Sequence, residues 1–87
     1  MASIMEVTSK IYKNVRFYFE RELKNYEVIS VKQKLAEDYI YRVMAKNKVT
    51  GKYAVWTCWN ESTQSLNFGH YDLTMETAID ILYCQGE

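Results

Sequence analysis

The stretch that most constrains this chain runs from Lys52 to Asp72: K-Y-A-V-W-T-C-W, then N-E-S-T-Q-S, then L-N-F-G-H-Y-D. Two runs rich in β-branched and aromatic residues flank one polar turn, the pattern of an antiparallel hairpin. Both tryptophans fall inside it, with Cys58 and the only histidine, His70. Symmetric pairing about residues 60–65 sets Tyr53 opposite Asp72, Val55 opposite His70 and Trp59 opposite Leu66. Strict alternation then puts Tyr53, Val55, Thr57, Trp59, Leu66, Phe68, His70 and Asp72 on one face. Ala54, Trp56, Cys58, Asn67, Gly69 and Tyr71 take the other.

Upstream, Ser3-Ile4-Met5-Glu6 reads as a capping box. Ile4, Val7, Ile11, Val15 and Tyr18 follow at steps of three or four, with Phe19 at the edge of the stripe. No Gly or Pro interrupts them, so a helix to about Lys24 is expected. Its opposite side carries Lys10, Lys13, Phe17, Arg21 and Lys24 beside Glu6 and Glu20. Four cations around an exposed aromatic suit charge steering toward an acidic partner or a phosphate backbone. A solvated helix face with i,i+4 ion pairs is the plainer reading.

Tyr26–Leu35 alternates, with Ile29, Val31 and Leu35 set against Ser30, Lys32 and Lys34, and reads as a lysine-blunted edge strand. A turn near Ala36-Glu37 leads to a strand over Asp38–Asn47. Gly51 marks a hairpin loop at residues 47–52, where a bulge would flip the parity of the second strand. After the fourth strand, Thr74 is a natural N-cap, Leu73 a staple onto Ala78, Glu76 a good partner for the dipole and Gly86 a stop. Met75, Ala78, Ile79 and Leu82 share one side of this second helix.

The expected domain is residues 1–87, α+β in class, of order α-β-β-β-β-α: an antiparallel four-stranded meander with two helices packed on one face. Both sheet faces carry large apolar residues, and two helices on one face leave the other bare. An exposed apolar patch of that size marks an interface. Trp59, Phe68 and Tyr53, with Phe17, are therefore the expected partner-binding residues. On this reading Trp59→Ala or Phe68→Ala abolishes association and leaves the far-UV circular dichroism native.

The composition narrows the function. Eleven cations balance eleven carboxylates, but residues 1–48 hold ten Lys/Arg against six Asp/Glu, while residues 49–87 hold one Lys against five acids. Such a charge dipole steers a partner or promotes head-to-tail self-contact. No run spans a bilayer. The N-terminus carries no basic and apolar leader, so the two cysteines read as reduced thiols in the cytoplasm. His70 and Asp72 share a face without a third catalytic group. Cys58, Cys84, His70 and Asp72 lack paired metal-ligand spacing. No metal or cofactor is expected, nor catalysis. The helix–sheet–helix order resembles double-stranded RNA-binding domains, yet those need a basic start to the second helix, and T-M-E-T-A-I-D is acidic. The expected function is a small cytoplasmic regulator or inhibitor that binds another protein or a second copy of itself, of the kind carried by phages and mobile elements. The rival expectation is weak nucleic-acid contact through Lys10, Lys13, Arg21 and Lys24.

Overall fold

The computed structural model describes residues 4–33 and 40–83, with side chains from residue 10 onward. Helix α1 spans Ile4–Glu22, followed by β1 (Tyr26–Gln33), β2 (Ile40–Asn47), β3 (Tyr53–Asn60), β4 (Ser65–Leu73) and helix α2 (Met75–Leu82). The strands pair in sequence order, all antiparallel, as one four-stranded meander. The class and element order are those expected. Ser3 of the capping box, the 36–37 turn and Gly86 lie outside the described residues, as do the ends of the two strands beside that turn. No helix among the described residues is long and apolar enough to cross a membrane.

The two hairpin turns among the described residues use the same chemistry. Asn47 Oδ1 accepts from the amides of Val49 and Thr50, and Asn60 Oδ1 accepts from those of Ser62 and Thr63. Each is a local Asx turn. Each loop then needs a left-handed residue, supplied by Gly51 (φ 77°) in one and by Gln64 (φ 52°) in the other. At the start of α2, Thr74 caps as expected: its Oγ1 accepts from the amide of Thr77 at 3.2 Å. Leu73 packs on the cluster containing Ala78.

The helices do not share a face. Val43, Ala45, Ala54 and Trp56 cluster with Ile11, Val15 and Phe19 of α1. Their strand neighbours Met44 and Val55 cluster with Ala78 and Leu82 of α2. Successive strand residues point to opposite sides, so α1 covers one face and α2 the other. The single-face arrangement expected from the sequence is corrected. Apolar residues on both sides of the central strands are what a sandwiched sheet requires; they do not signal a bare face.

Three bulges explain why alternation misplaced individual residues. In β1, Ile29 is extra: Val28 opposes Ala45 and Ser30 opposes Met44. Val28 and Val31 therefore both face α1, and Ile29, expected inward, is exposed. In β3, the bulge lies at residues 57–58, where Tyr41 opposes Trp59 but Val43 opposes Trp56. Trp56 and Trp59 thus share the α1 face. No bulge at Gly51 flips the parity of β2, since Ala45 opposes Ala54 and Lys46 opposes Tyr53. Between β3 and β4 the expected pairs Val55–His70 and Trp59–Leu66 hold, but Tyr53 opposes Leu73 and not Asp72. Asp72, at φ 57°, is the additional residue there.

Gly69 is held by close approach. A Cβ built on it would overlap the Tyr71 hydroxyl and come within 2.6 Å of Tyr71 Cζ and 2.8 Å of Trp56 Nε1. Tyr71 lies over the glycine because Trp56 Nε1 donates to its hydroxyl at 3.2 Å, with ring centroids 5.6 Å apart and nearly perpendicular. In Gly69→Ala, Tyr71 must swing outward, losing a hydrogen bond and an edge-on ring contact worth about 1–2 kcal/mol together. Chemical denaturation followed by tryptophan fluorescence should show that loss; an unchanged midpoint would mean that Tyr71 does not cover Gly69 in solution.

Candidate functional site

Amphipathic spacing aims one side of α1 inward. Ile11, Val15 and Phe19 are buried, while Tyr12 and Tyr18 are half-buried beside them. The same geometry turns Lys10, Lys13, Arg16 and Arg21 outward, all exposed, around Phe17 at 53% exposure; Lys24, expected on the helix, lies in the turn after it and is exposed as well. The predicted stripe is therefore presented together, with Glu20 and Glu22 among its cations. A shallow trough of about 250 Å³ on this surface is lined by Lys13, Arg16, Phe17 and Glu20.

The other predicted residues are not brought together. Trp59 is fully buried under α1, its ring edge-on to Tyr18 at 5.3 Å. Its indole Nε1 donates to Glu61 Oε1 at 2.7 Å, and Glu61 Oε2 accepts from Asn14 Nδ2 at 2.5 Å. One carboxylate thus ties the β3–β4 turn to α1. Tyr53 is half-buried on the opposite face, against the α2 cluster, with Lys46 Nζ 5.9 Å from its ring centroid. Phe68 is 73% exposed on the edge strand β4, with φ at 59°, a conformation that costs a bulky residue energy. The composite patch of Trp59, Phe68 and Tyr53 is corrected: the β3 bulge withdraws Trp59, and Tyr53 belongs to the other side.

The structure exposes a different apolar row. On α2, Ala78 and Leu82 are buried while Met75 and Ile79 are about half-exposed; Tyr83, at the C-cap, continues the line. These positions recur every four residues, so they form one ridge. Glu76 and Asp80 stand exposed beside it. Sequence periodicity places Met75 and Ile79 inward with Ala78 and Leu82, because a narrow helix stripe looks the same whether the sheet below covers all or half of it.

An open cleft of about 450 Å³ separates α1 from the start of β1. It is lined by Tyr12, Arg16, Phe19, Glu20, Tyr26, Glu27, Val28 and Lys48. Its two cations and two carboxylates cancel, so it presents no net field to a charged ligand. His70 pairs with Val55 on the α2 side and is exposed, whereas Asp72 is the bulge residue; the shared face expected for these two is lost. Cys58 is a free thiol, and Cys84 lies outside the described residues. Among the described residues, no group of three or more His, Cys, Asp or Glu side chains is placed to hold a metal ion.

No curated protein and no solved structure matches the chain. A domain family does match: the model of "Large polyvalent protein associated domain 24" covers residues 10–77, from the inward stripe of α1 to the start of α2. The match spans most of the chain, which therefore belongs to the large polyvalent protein associated domain 24 family.

Proposed function

We propose that this domain is a non-catalytic, cytoplasmic protein-binding module that regulates or inhibits through surface contact. The observation that carries this reading is the half-exposed ridge of Met75, Ile79 and Tyr83 on α2, bordered by Glu76 and Asp80. Exposed large apolar side chains in a row are what an interface buries, and a short helix presenting them suits a groove on a partner. Phe68 on the edge strand adds a second contact point. The association of the family with large polyvalent proteins supports a role beside other polypeptide modules, and an origin on phages or mobile elements.

The test is capture of protein by the immobilised domain, comparing wild type with Ile79→Asp and Phe68→Ala. Both positions are exposed, so both variants keep native far-UV circular dichroism. A protein retained by wild type and lost with Ile79→Asp supports the reading. Equal retention by all three forms sinks it.

A second reading is favoured by the exposed cations of α1. Lys10, Lys13 and Arg21, continued by Lys24 in the turn beyond the helix, would follow a nucleic-acid backbone, with Phe17 available for stacking. It requires fluorescence anisotropy of short DNA and RNA to show binding that weakens steeply with salt and is lost in Lys13→Glu/Arg21→Glu.

A further inference from the structure

We infer that the partner of the α2 ridge is a second copy of this chain, whose α1 outer face docks on it. This rests on the reading of α2 as a contact surface. Residues 10–24 carry five cations against two carboxylates, and every one of those cations is exposed. Residues 53–83 carry no Lys or Arg at all, and α2 exposes Glu76 and Asp80; the cation of Lys32, 5.3 Å from the Tyr83 ring centroid, stands at the far end of the ridge, away from Met75 and Glu76. Each charged surface has an apolar centre: Phe17 on α1, Met75 and Ile79 on α2. The trough beside Phe17, walled by Lys13 and Arg16, gives a branched side chain such as Ile79 a seat. Cations then meet carboxylates around an apolar contact, the arrangement that sets register and speeds encounter.

The two surfaces cannot meet within one molecule, because the sheet lies between them. The contact joins unlike patches, so each bound copy leaves one patch free at either end, and assembly propagates as a chain or closes as a ring. One face of α1 against the eight-residue α2 buries less than a standard interface of about 1,600 Å². Association is accordingly weak, in the micromolar range or above, and sensitive to salt.

Sedimentation equilibrium tests this with wild type, with Lys13→Glu/Arg21→Glu, and with Glu76→Gln/Asp80→Lys. Glutamine at position 76 avoids placing a cation at the positive end of α2. At low salt, the mass of wild type rises above 10.3 kDa with concentration and falls back when salt is raised. Each variant alone stays at the monomer mass, since both of its patches then carry like charge. Mixing the two variants restores association. The proposal is overturned if wild type stays monomeric at low salt, if either variant alone associates like wild type, or if the mixture behaves as the sum of its parts. A monomeric wild type whose Ile79→Asp form still loses a captured protein rejects the second copy and keeps the α2 contact surface. Loss of neither self-association nor capture on changing α2 rejects both.

Discussion

Trp59→Ala lowers the stability of this domain by about 3–5 kcal/mol, the range for emptying a large aromatic site in a core. Small domains have about 5–15 kcal/mol in total, so the variant is largely unfolded at modest urea concentrations. The ring is fully buried, and alanine leaves a cavity beneath α1 that the surrounding strands cannot fill. It also removes the indole donor from Glu61, leaving Asn14 alone to hold the carboxylate that ties the β3–β4 turn to α1. Phe68→Ala, at 73% exposure, changes stability by no more than about 0.5 kcal/mol. Urea unfolding followed by circular dichroism separates the two. The sequence reading expects both variants to be folded and defective in association; the structure reverses that for Trp59. A Trp59→Ala midpoint equal to that of wild type would mean that α1 does not cover the indole.

Arg42→Met loosens α2 and costs about 1–3 kcal/mol, the penalty for a buried polar group deprived of its partner. Arg42 is the one buried charged residue among those described, 5% exposed. Its Nη1 donates to the carbonyl of Leu82 at 3.2 Å. That carbonyl belongs to the last turn of α2, whose backbone acceptors have no helical donors ahead of them, and a cation there complements the helix dipole. A helix of eight residues has little stability of its own. It is held by the Thr74 cap at one end, by Ala78 and Leu82 against Met44 and Val55, and by Arg42 at the other end. Methionine keeps the apolar stem and relieves the burial of a charge, which offsets part of the loss. The Leu82 carbonyl stays buried without this donor, so the net sign is destabilising. Native-state hydrogen exchange should show faster exchange of the Leu82 and Tyr83 amides in Arg42→Met, with Arg42→Lys intermediate. Unchanged protection in Arg42→Met would show that the guanidinium does not fasten α2.

The local features were legible because the residues that cause them are adjacent in sequence. Ile11, Val15 and Phe19 lie one helical turn apart, so their spacing alone marks the buried side of α1 and, opposite it, the exposed Lys13, Phe17 and Arg21. Thr74 bonds an amide three residues ahead. Gly51 and the polar run at residues 60–65 marked the turns, which Asn47 and Asn60 close over the next three residues. The pairings Val55–His70 and Trp59–Leu66 follow from the length of the turn between them.

The side on which each large residue lands was not legible. A bulge is chosen by the fit of one strand against its neighbour, and an inserted residue reverses every position beyond it. The bulge at residues 57–58 places Trp56 and Trp59 together under α1; without it, one of them faces α2. Ile29 is expelled for the same reason, and Asp72 is separated from the face of His70. Arg42 reads as one polar position in an apolar run, and nothing within that run says that a helix end forty residues away supplies its acceptor. Helices, turns and the cap were thus determined by the sequence alone, since their hydrogen bonds close over a few residues, and the strand order followed from strand-like runs separated by turns. The sandwiching of the sheet, the burial of Trp59 and the exposure of Met75 and Ile79 were decided only by tertiary structure, where packing between distant segments sets the parity of each strand.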